Sequence, residues 1–230
     1  MNMFNTKIRD TVILIYYLVF MIFLFNIPVT SYFINNLFGE NTELSKNIFL
    51  IIFCSTHFLL FFLSIIFFRK EIQSKWVDFL FNWKSNLKYI FCGIVLIFVL
   101  NIILGIFLKQ QGTNQESLDI MLKISSGILS ILFYLVTVIV GPINEEVVFR
   151  RILIGDGNKI FSKTLLLIFS SVSFGLIHIH KISELPIAIP YICAGFIFGY
   201  IYIRFNNIFS SIAIHVLNNL IGILLLLFIV

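Results

Sequence analysis

The sequence predicts an all-α fold, a polytopic transmembrane helical bundle of about seven spans. Of the 230 residues, 60% are hydrophobic and only 12% are charged, whereas a soluble domain carries about 25% charged residues. The apolar residues occur in runs long enough to cross a bilayer as helices, which takes about 17–25 residues. They lack the strand-length alternation of a membrane barrel. This composition excludes a soluble enzyme, a nucleic-acid-binding module and a disordered scaffold.

Seven apolar stretches are candidate spans, separated by short polar segments such as Arg69–Lys75 and Lys109–Lys123. They cover residues 11–34, 48–68, 88–108, 125–143, 163–180, 185–203 and 208–230. Because Lys181–Glu184 is very short, either of the spans beside it is also consistent with a half-length or re-entrant helix. We expect one integrated membrane domain, with N-terminal helices that carry no motif over residues 1–120 and a motif-bearing core over residues 121–230.

The basic residues set the expected topology. Lys7 and Arg9 precede the first apolar run, which continues to Ile27 without a signal-peptidase-like site, so we expect an uncleaved first span. With seven alternating spans, twelve of the sixteen Lys and Arg residues fall on the side of the N-terminus. Since basic loops stay in the cytoplasm, the sequence predicts a multi-pass protein of the cell membrane with a cytoplasmic N-terminus.

The first segment with candidate chemistry is GPINEEVVFRR, residues 141–151, at the end of the fourth predicted span. Pro142 suits the first turn of a helix or kinks one. Glu146 and Arg150 are four residues apart with the acid first, which favours an ion pair. Glu145 points about 100° away on a helix, so it stays available as a general base. The alternative interpretation is a charge cluster that caps a span at the interface.

The second segment is FGLIHIH, residues 174–180. On a helix Phe174 and His178 share a face, while His180 lies near the opposite side. His178 is the candidate because it lies deeper in the apolar pattern. Gly175 leaves room for the close approach of another helix or of a substrate backbone. The alternative is that His178 is a hydrogen-bonded packing residue.

The third segment is HVLNN, residues 215–219, inside an otherwise apolar final span. His215 and Asn219 share a helical face, so an imidazole and a carboxamide point the same way. The alternative is an interhelical polar contact without chemistry.

Other polar or small residues in the spans are assigned structural roles. Gly195 and Gly199 form a G-x-x-x-G pair, which is typical of close helix packing. His57 is interpreted as a core polar residue with satisfied hydrogen bonds. The three cysteines are odd in number and lack metal-ligand spacing, so they are interpreted as small hydrophobic residues.

Together the three segments supply two Glu, one Arg, two His and one Asn on three spans. Ionisable groups at membrane depth are costly and indicate function. A base, an imidazole that orients water and donors for an oxyanion are what a hydrolase needs. No serine- or cysteine-centred nucleophile pattern occurs, and the H-E-x-x-H zinc motif is absent from the sequence.

The three segments resemble the motifs of the CPBP family, which comprises CAAX prenyl endopeptidases and bacteriocin-processing and immunity proteins and is also called the Abi family. The family pattern is E-E-x-x-x-R, then F-x-x-x-H, then H-x-x-x-N. The matching residues here are Glu145, Glu146, Arg150, Phe174, His178, His215 and Asn219. The similarity covers about residues 125–225. One departure is Arg151, where the family usually has glycine, and we expect it to change the packing at the cytoplasmic mouth.

The resemblance implies an intramembrane endopeptidase of the glutamic type, with no cofactor. In that scheme Glu145 would be the general base that activates water, and His178 would orient the water. His215 and Asn219 would stabilise the oxyanion. A divalent metal held by Glu145, His178 and His215 is the alternative, although a Glu pair with Asn219 makes a poor zinc set.

In the same scheme Glu146, Arg150 and Phe174 would support the site, and the substrate would be a peptide or protein at the membrane. A second interpretation is a bacteriocin self-immunity or phage-resistance protein that uses the same site. A third is a transporter or lipid-binding protein without hydrolysis, although transporters more often have internally repeated halves. No nucleic-acid partner is expected.

Overall fold

The computed structural model describes residues 3–23, 29–39, 42–108, 116, 121, 126–155 and 161–229. In these residues the regular structure is helical and no strand occurs, which confirms the all-α class. The predicted polar segment Lys109–Lys123 and the boundary placed at residue 120 lie almost entirely outside the described residues.

The described N-terminal part consists of four helices. Helix α1 (Met3–Tyr16) continues as a π-helical segment (Tyr17–Phe23), and α2 (Val29–Phe38), α3 (Glu43–Phe81) and α4 (Trp83–Phe107) follow. The predicted first span, 11–34, thus covers parts of α1 and α2, and its residues 24–28 lie outside the described ones. Thr42 starts α3 as an N-cap, because its side chain accepts a hydrogen bond from Ser45 N.

The C-terminal part is built around one long helix, residues 127–152, which we call the motif helix. It runs through α5 (Gly127–Leu135), a π-helical segment (Val136–Val140), α6 (Gly141–Glu146) and a further π-helical segment (Val147–Ile152). It is followed by α7 (Lys163–Leu176), a 3₁₀ turn (Ile182–Glu184), α8 (Leu185–Phe205) and α9 (Ile208–Ile229). Asn206 ends α8 in the left-handed conformation, with φ 46°.

Five helices in the described residues are long and apolar enough to cross a membrane, so the protein is a multi-pass membrane protein. They are α3, α4, the motif helix, the stretch Ile182–Phe205 and α9. Helix α7 has only 14 residues and is about 21 Å long, against roughly 30 Å for a bilayer's hydrocarbon core. The half-length helix that the sequence left open is therefore α7. A helix of this length that begins at the interface ends within the apolar layer, and His178 follows two residues later.

The polar segment Arg69–Lys75 between two predicted spans is not a loop, because α3 continues through it as one helix of 39 residues. A polar composition marks the edge of the apolar layer but does not break a helix, and residues 43–81 contain neither Gly nor Pro. Tertiary contacts hold the extension: Arg151 binds Glu71, and Lys75 Nζ donates to Asn206 O at 2.6 Å.

Helices α7 and α8 pack closely because glycines lie between them. A Cβ added to Gly175 would lie 2.3 Å from Ile192 Cγ1, and one added to Gly199 would lie 2.5 Å from Leu167 Cδ1. A Cβ on Gly195 would lie 3.0 Å from the Phe174 ring. This confirms the packing role predicted for the G-x-x-x-G pair and brings α8 against the residues that follow Phe174.

Candidate active site

The glutamate pair lies on α6, a single short stretch of α-helix between two π-helical segments of the motif helix. Pro142 occupies the first turn of α6 but lies inside the continuous motif helix, so its missing N–H removes one backbone hydrogen bond of that helix. π-Helical turns within α-helices occur often at functional sites because they redirect side chains. Glu146 is fully buried, whereas the Glu145 side chain keeps 22% of its surface exposed.

The Glu146 carboxylate is held by a buried arginine, as the spacing in the sequence predicted. Arg150 Nε lies 3.1 Å from Glu146 Oε2, and both side chains are fully buried. Arg150 Nη2 also donates to Gly195 O at 3.1 Å, and the guanidinium lies 4.8 Å from the Phe174 ring centroid. A charge buried to this degree is tolerated only when it is paired, so these contacts fix the motif helix against α7 and α8.

His215 bridges the two carboxylates. Its Nδ1 donates to Glu146 Oε1 at 2.8 Å, and its Nε2 lies 3.5 Å from Glu145 Oε2. The imidazole also stacks on Phe198, with ring centroids 4.5 Å apart. The position of His215 between the glutamates could not be deduced from the sequence, which gave only its helical face.

His178 contacts the Phe174 ring, which also contacts His215. The centroid of that ring is 4.8 Å from the His178 ring and 5.5 Å from the His215 ring. His178 Nδ1 lies 2.7 Å from Phe174 O, and since a carbonyl only accepts, Nδ1 carries the proton and Nε2 is the acceptor of the neutral ring. The imidazole stacks on Tyr191 at 4.4 Å. His178 is half-buried and His180 is exposed, in line with the choice made from the sequence.

Asn219 contacts the motif helix at a point nearer to the beginning of that helix than the glutamates. Its Nδ2 donates to Thr137 O at 3.1 Å, and its Oδ1 accepts from Asn218 Nδ2 at 3.3 Å. Asn219 therefore faces the motif helix about two turns before Glu145, and one of its two amide hydrogens is in use. The structure thus brings His215 into direct contact with Glu145 and Glu146, whereas Asn219 lies at the edge of this cluster and contacts Thr137.

The motif-free helices also contact the neighbourhood of the site. Tyr17, in the π-helical continuation of α1, is buried, and its ring meets Phe149 edge-on at 5.8 Å. Arg151 binds Asp10 on α1 and Glu71 on α3. The sequence contained no signal for Tyr17. For Arg151 the only signal was its departure from the family's glycine.

His57 fits the structural role predicted for it. Its Nδ1 donates to Phe53 O at 2.8 Å within α3, and its own carbonyl accepts from Asn144 Nδ2 at 2.9 Å. This contact seats α3 against the motif helix one residue before Glu145.

In the described part of the chain, no group of three or more His, Cys, Asp or Glu side chains is arranged to hold a metal ion. Of the alternative ligand set, Glu145 Oε2 and His215 Nε2 lie 3.5 Å apart, and His178 and His215 both contact the Phe174 ring.

Known proteins match the part of the chain that carries the site. The family described as Type II CAAX prenyl endopeptidase Rce1-like matches residues 127–221, which include all three motif segments. The protein named "Putative membrane peptidase YdiL" from Bacillus subtilis is 31% identical over 114 residues, which is 48% of this chain and 41% of that protein. An uncharacterized protein of Mycoplasma capricolum is 32% identical over 117 residues, which is 46% of this chain and 33% of that protein.

UPF0177 protein YxdF from Lactococcus lactis is 32% identical over 145 residues, which is 61% of this chain and 78% of that protein. The chain thus spans less than half the length of the first two relatives and most of the length of the third. No solved structure matches the chain.

Proposed function

The chain belongs to the CPBP family, and from that membership we propose that it is an intramembrane endopeptidase whose general base is Glu145. The observation that carries the proposal is the asymmetry of the glutamate pair. Glu146 is fully buried and bound by Arg150 and His215. Glu145 keeps an exposed edge, and its described ion-pair partner is His215 at 3.5 Å. One carboxylate is thus fixed in the structure and the other is accessible to water.

The proposed reaction is hydrolysis of a peptide bond by water. Glu145 takes a proton from a water molecule, and the resulting hydroxide adds to the carbonyl carbon of the scissile bond. The carbonyl oxygen becomes an oxyanion. When the C–N bond breaks, the proton passes from Glu145 to the departing nitrogen. The products are a carboxylic acid and an amine, which ionise in water, and Glu145 returns to its starting state.

The neighbouring groups suit the other roles in this reaction. The His178 Nε2, opposite the protonated Nδ1, is an acceptor that can orient the water. Asn219 has a second amide hydrogen, and His215 can donate through Nε2 when its ring is protonated. N–H donors aimed at a developing negative charge are a main source of catalysis. The Glu146–Arg150 pair would hold the helix that presents Glu145.

The test is turnover of a quenched fluorogenic peptide library by the purified protein in detergent. We expect cleavage by the wild type with and without a strong chelator, and a loss of about 10²–10⁴-fold in Glu145→Gln, which removes the base but keeps the shape. Glu43→Gln is the matched control, because Glu43 is exposed in the first turn of α3. If activity disappears with the chelator and returns with zinc, the reaction uses a metal ion, and the proposal that Glu145 activates the water without a metal is wrong.

We also propose that the N-terminus lies in the cytoplasm. Four segments that the charge count assigned to one side are joined by contacts at one end of the molecule. Arg9 Nη1 donates to Phe67 O at 3.0 Å, Arg151 binds Asp10 and Glu71, and Lys75 Nζ donates to Asn206 O. This common end carries the basic excess that is typical of the cytoplasmic side.

Protease protection of an N-terminal epitope tag tests this orientation. We expect the tag to survive protease added to intact spheroplasts and to be digested in inverted membrane vesicles. Digestion in the intact spheroplasts would show that the N-terminus lies outside the cytoplasm.

A further inference from the structure

Tyr191 on α8 stacks directly on the imidazole of His178. The two ring centroids lie 4.4 Å apart, and the ring planes are inclined by only 18°. The Phe174 ring meets the same imidazole at 4.8 Å with an inclination of 48°. Both Tyr191 and His178 are half-buried. His178 therefore has a nearly parallel aromatic partner from a helix that supplies none of the seven motif residues.

The close approach of α8 to α7 at Gly175 places Tyr191 beside His178. A Cβ added to Gly175 would lie 3.0 Å from Ala188 O and 3.0 Å from Ile192 N, which are backbone atoms of α8. A larger residue at this position would push that turn of α8 away, because backbone atoms cannot rotate aside as a side chain can. Ala188 and Ile192 flank Tyr191 along the helix, so this contact also sets the distance between Tyr191 and His178.

The orientation of the His178 ring decides which of its atoms can bind water. Nδ1 lies 2.7 Å from Phe174 O and carries the proton, so Nε2 is the acceptor assigned to the attacking water. The torsion that turns a histidine ring has broad, roughly two-fold preferences, and one hydrogen bond limits it only weakly. The Tyr191 ring opposes such rotation, because tilting the imidazole out of the stack loses contact between the two rings.

We propose that Tyr191 is a positioning residue of the active site. Its ring holds the His178 imidazole in the plane in which Nδ1 donates to Phe174 O and Nε2 is free to orient the attacking water. This inference rests on the proposed endopeptidase function. It extends the site beyond the three motifs to α8, and it assigns the role to the aromatic ring of Tyr191 and not to the hydroxyl.

The first measurement is the kinetics of three variants of the full-length protein on the best-cleaved peptide of the fluorogenic library. Tyr191→Leu removes the ring and keeps an apolar side chain, whereas Tyr191→Phe keeps the ring. Tyr200→Leu is the matched control, because Tyr200 lies on the same helix and is 48% exposed. We expect Tyr191→Leu to lower kcat about 3- to 10-fold, as for the loss of one aromatic pair, with KM unchanged. The other two variants should keep the wild-type kcat.

The second measurement observes the His178 ring directly and requires no turnover. Long-range ¹H–¹⁵N correlation spectra of protein with ¹⁵N-labelled histidine distinguish a ring protonated at Nδ1 from one protonated at Nε2, and His178→Gln identifies the His178 signals. We expect the Nδ1-protonated pattern in the wild type and in Tyr191→Phe. In Tyr191→Leu we expect signals averaged between the two tautomers, because the ring is no longer held in one plane.

Four results would overturn the inference. They are a wild-type kcat in Tyr191→Leu, an equal loss in Tyr191→Phe, a loss of kcat that the unfolded fraction of Tyr191→Leu explains, and an unchanged His178 spectrum in Tyr191→Leu. If the wild type cleaves no peptide, the endopeptidase proposal fails, while the spectra still decide whether Tyr191 holds the His178 ring.

Discussion

The C-terminal part and the N-terminal helices use apolar surface in different ways. Of the 18 most apolar consecutive residues in each helix, 39% are buried inside the protein in the motif helix and in Ile182–Phe205. The share is 22% in α3 and 17% in α4. The C-terminal helices approach each other closely at Gly175, Gly195 and Gly199. On α4, Gly105 has open space around it, but a Cβ added to Gly93 would lie 2.5 Å from Ile214 Cδ1 on α9. Helices α3 and α4 turn most of their apolar side chains outward, where lipid covers them.

The difference indicates where a membrane protein can place charge. Glu146, Arg150 and His215 are buried because the closely packed helices around them supply ion-pair and hydrogen-bond partners. The N-terminal helices contact the motif helix through Asp10 and Glu71, which bind Arg151, and through His57 O, which accepts from Asn144 Nδ2. Three pairs of matched substitutions, one member in each region, test whether this division is real.

The largest effect is expected from removal of a buried partner. Glu146→Gln leaves the Arg150 guanidinium buried without its carboxylate, and breaking such a pair typically costs about 3–5 kcal/mol of unfolding free energy. Glu71→Gln in α3 removes a carboxylate whose side chain is 41% exposed, so we expect a loss below about 1 kcal/mol. Thermal unfolding in detergent measures both.

Glu145→Gln is a second control for the comparison of Glu146→Gln with Glu71→Gln, since it should lower turnover with little loss of stability. Equal unfolding temperatures for Glu146→Gln and Glu145→Gln would contradict the separation of a structural from a catalytic glutamate.

The next effect concerns the amides within the apolar layer. Asn219→Ala removes a donor near the proposed oxyanion, and such a loss typically costs about 10²–10³-fold in kcat, or roughly 2.7–4 kcal/mol. Because the charge exists only in the transition state, KM should change little. Asn101→Ala, on the exposed side of α4, should leave kcat unchanged. A wild-type rate in Asn219→Ala would remove it from the oxyanion site and reduce its role to the bond with Thr137.

The smallest effect is expected from added methyl groups. Gly175→Ala would place a Cβ 2.3 Å from Ile192 Cγ1 and 3.0 Å from the Ala188 carbonyl oxygen, and overpacking of this kind costs about 1–3 kcal/mol. Gly105→Ala meets no atom within 4 Å, and alanine favours a helix over glycine by about 1 kcal/mol. We therefore expect lower stability in the first variant and equal or higher stability in the second. Similar unfolding temperatures would mean that close packing does not distinguish the two regions.

The features that could be predicted from the sequence are those fixed within one helix or by composition. The apolar runs determine the membrane setting and the all-α class, because a backbone in lipid must satisfy its own hydrogen bonds. The spacing of four residues determines the Glu146–Arg150 pair and the position of His178 one turn after Phe174, since helical geometry makes such residues neighbours. The polar stretch 69–75 could be located from its composition, which marks the limit of the apolar layer. The composition did not show that the helix continues past that limit.

The contacts between helices were decided by the tertiary structure alone. His215 meets a glutamate 69 residues away, Arg151 meets Asp10 across 141 residues, and Tyr17 meets Phe149 from a helix without any motif. A sequence gives the face on which each side chain lies, but the approach and rotation of two packed helices depend on how all their side chains fill the space between them. The sequence therefore determined which residues carry the chemistry, and the packing of the helices decided which of them touch.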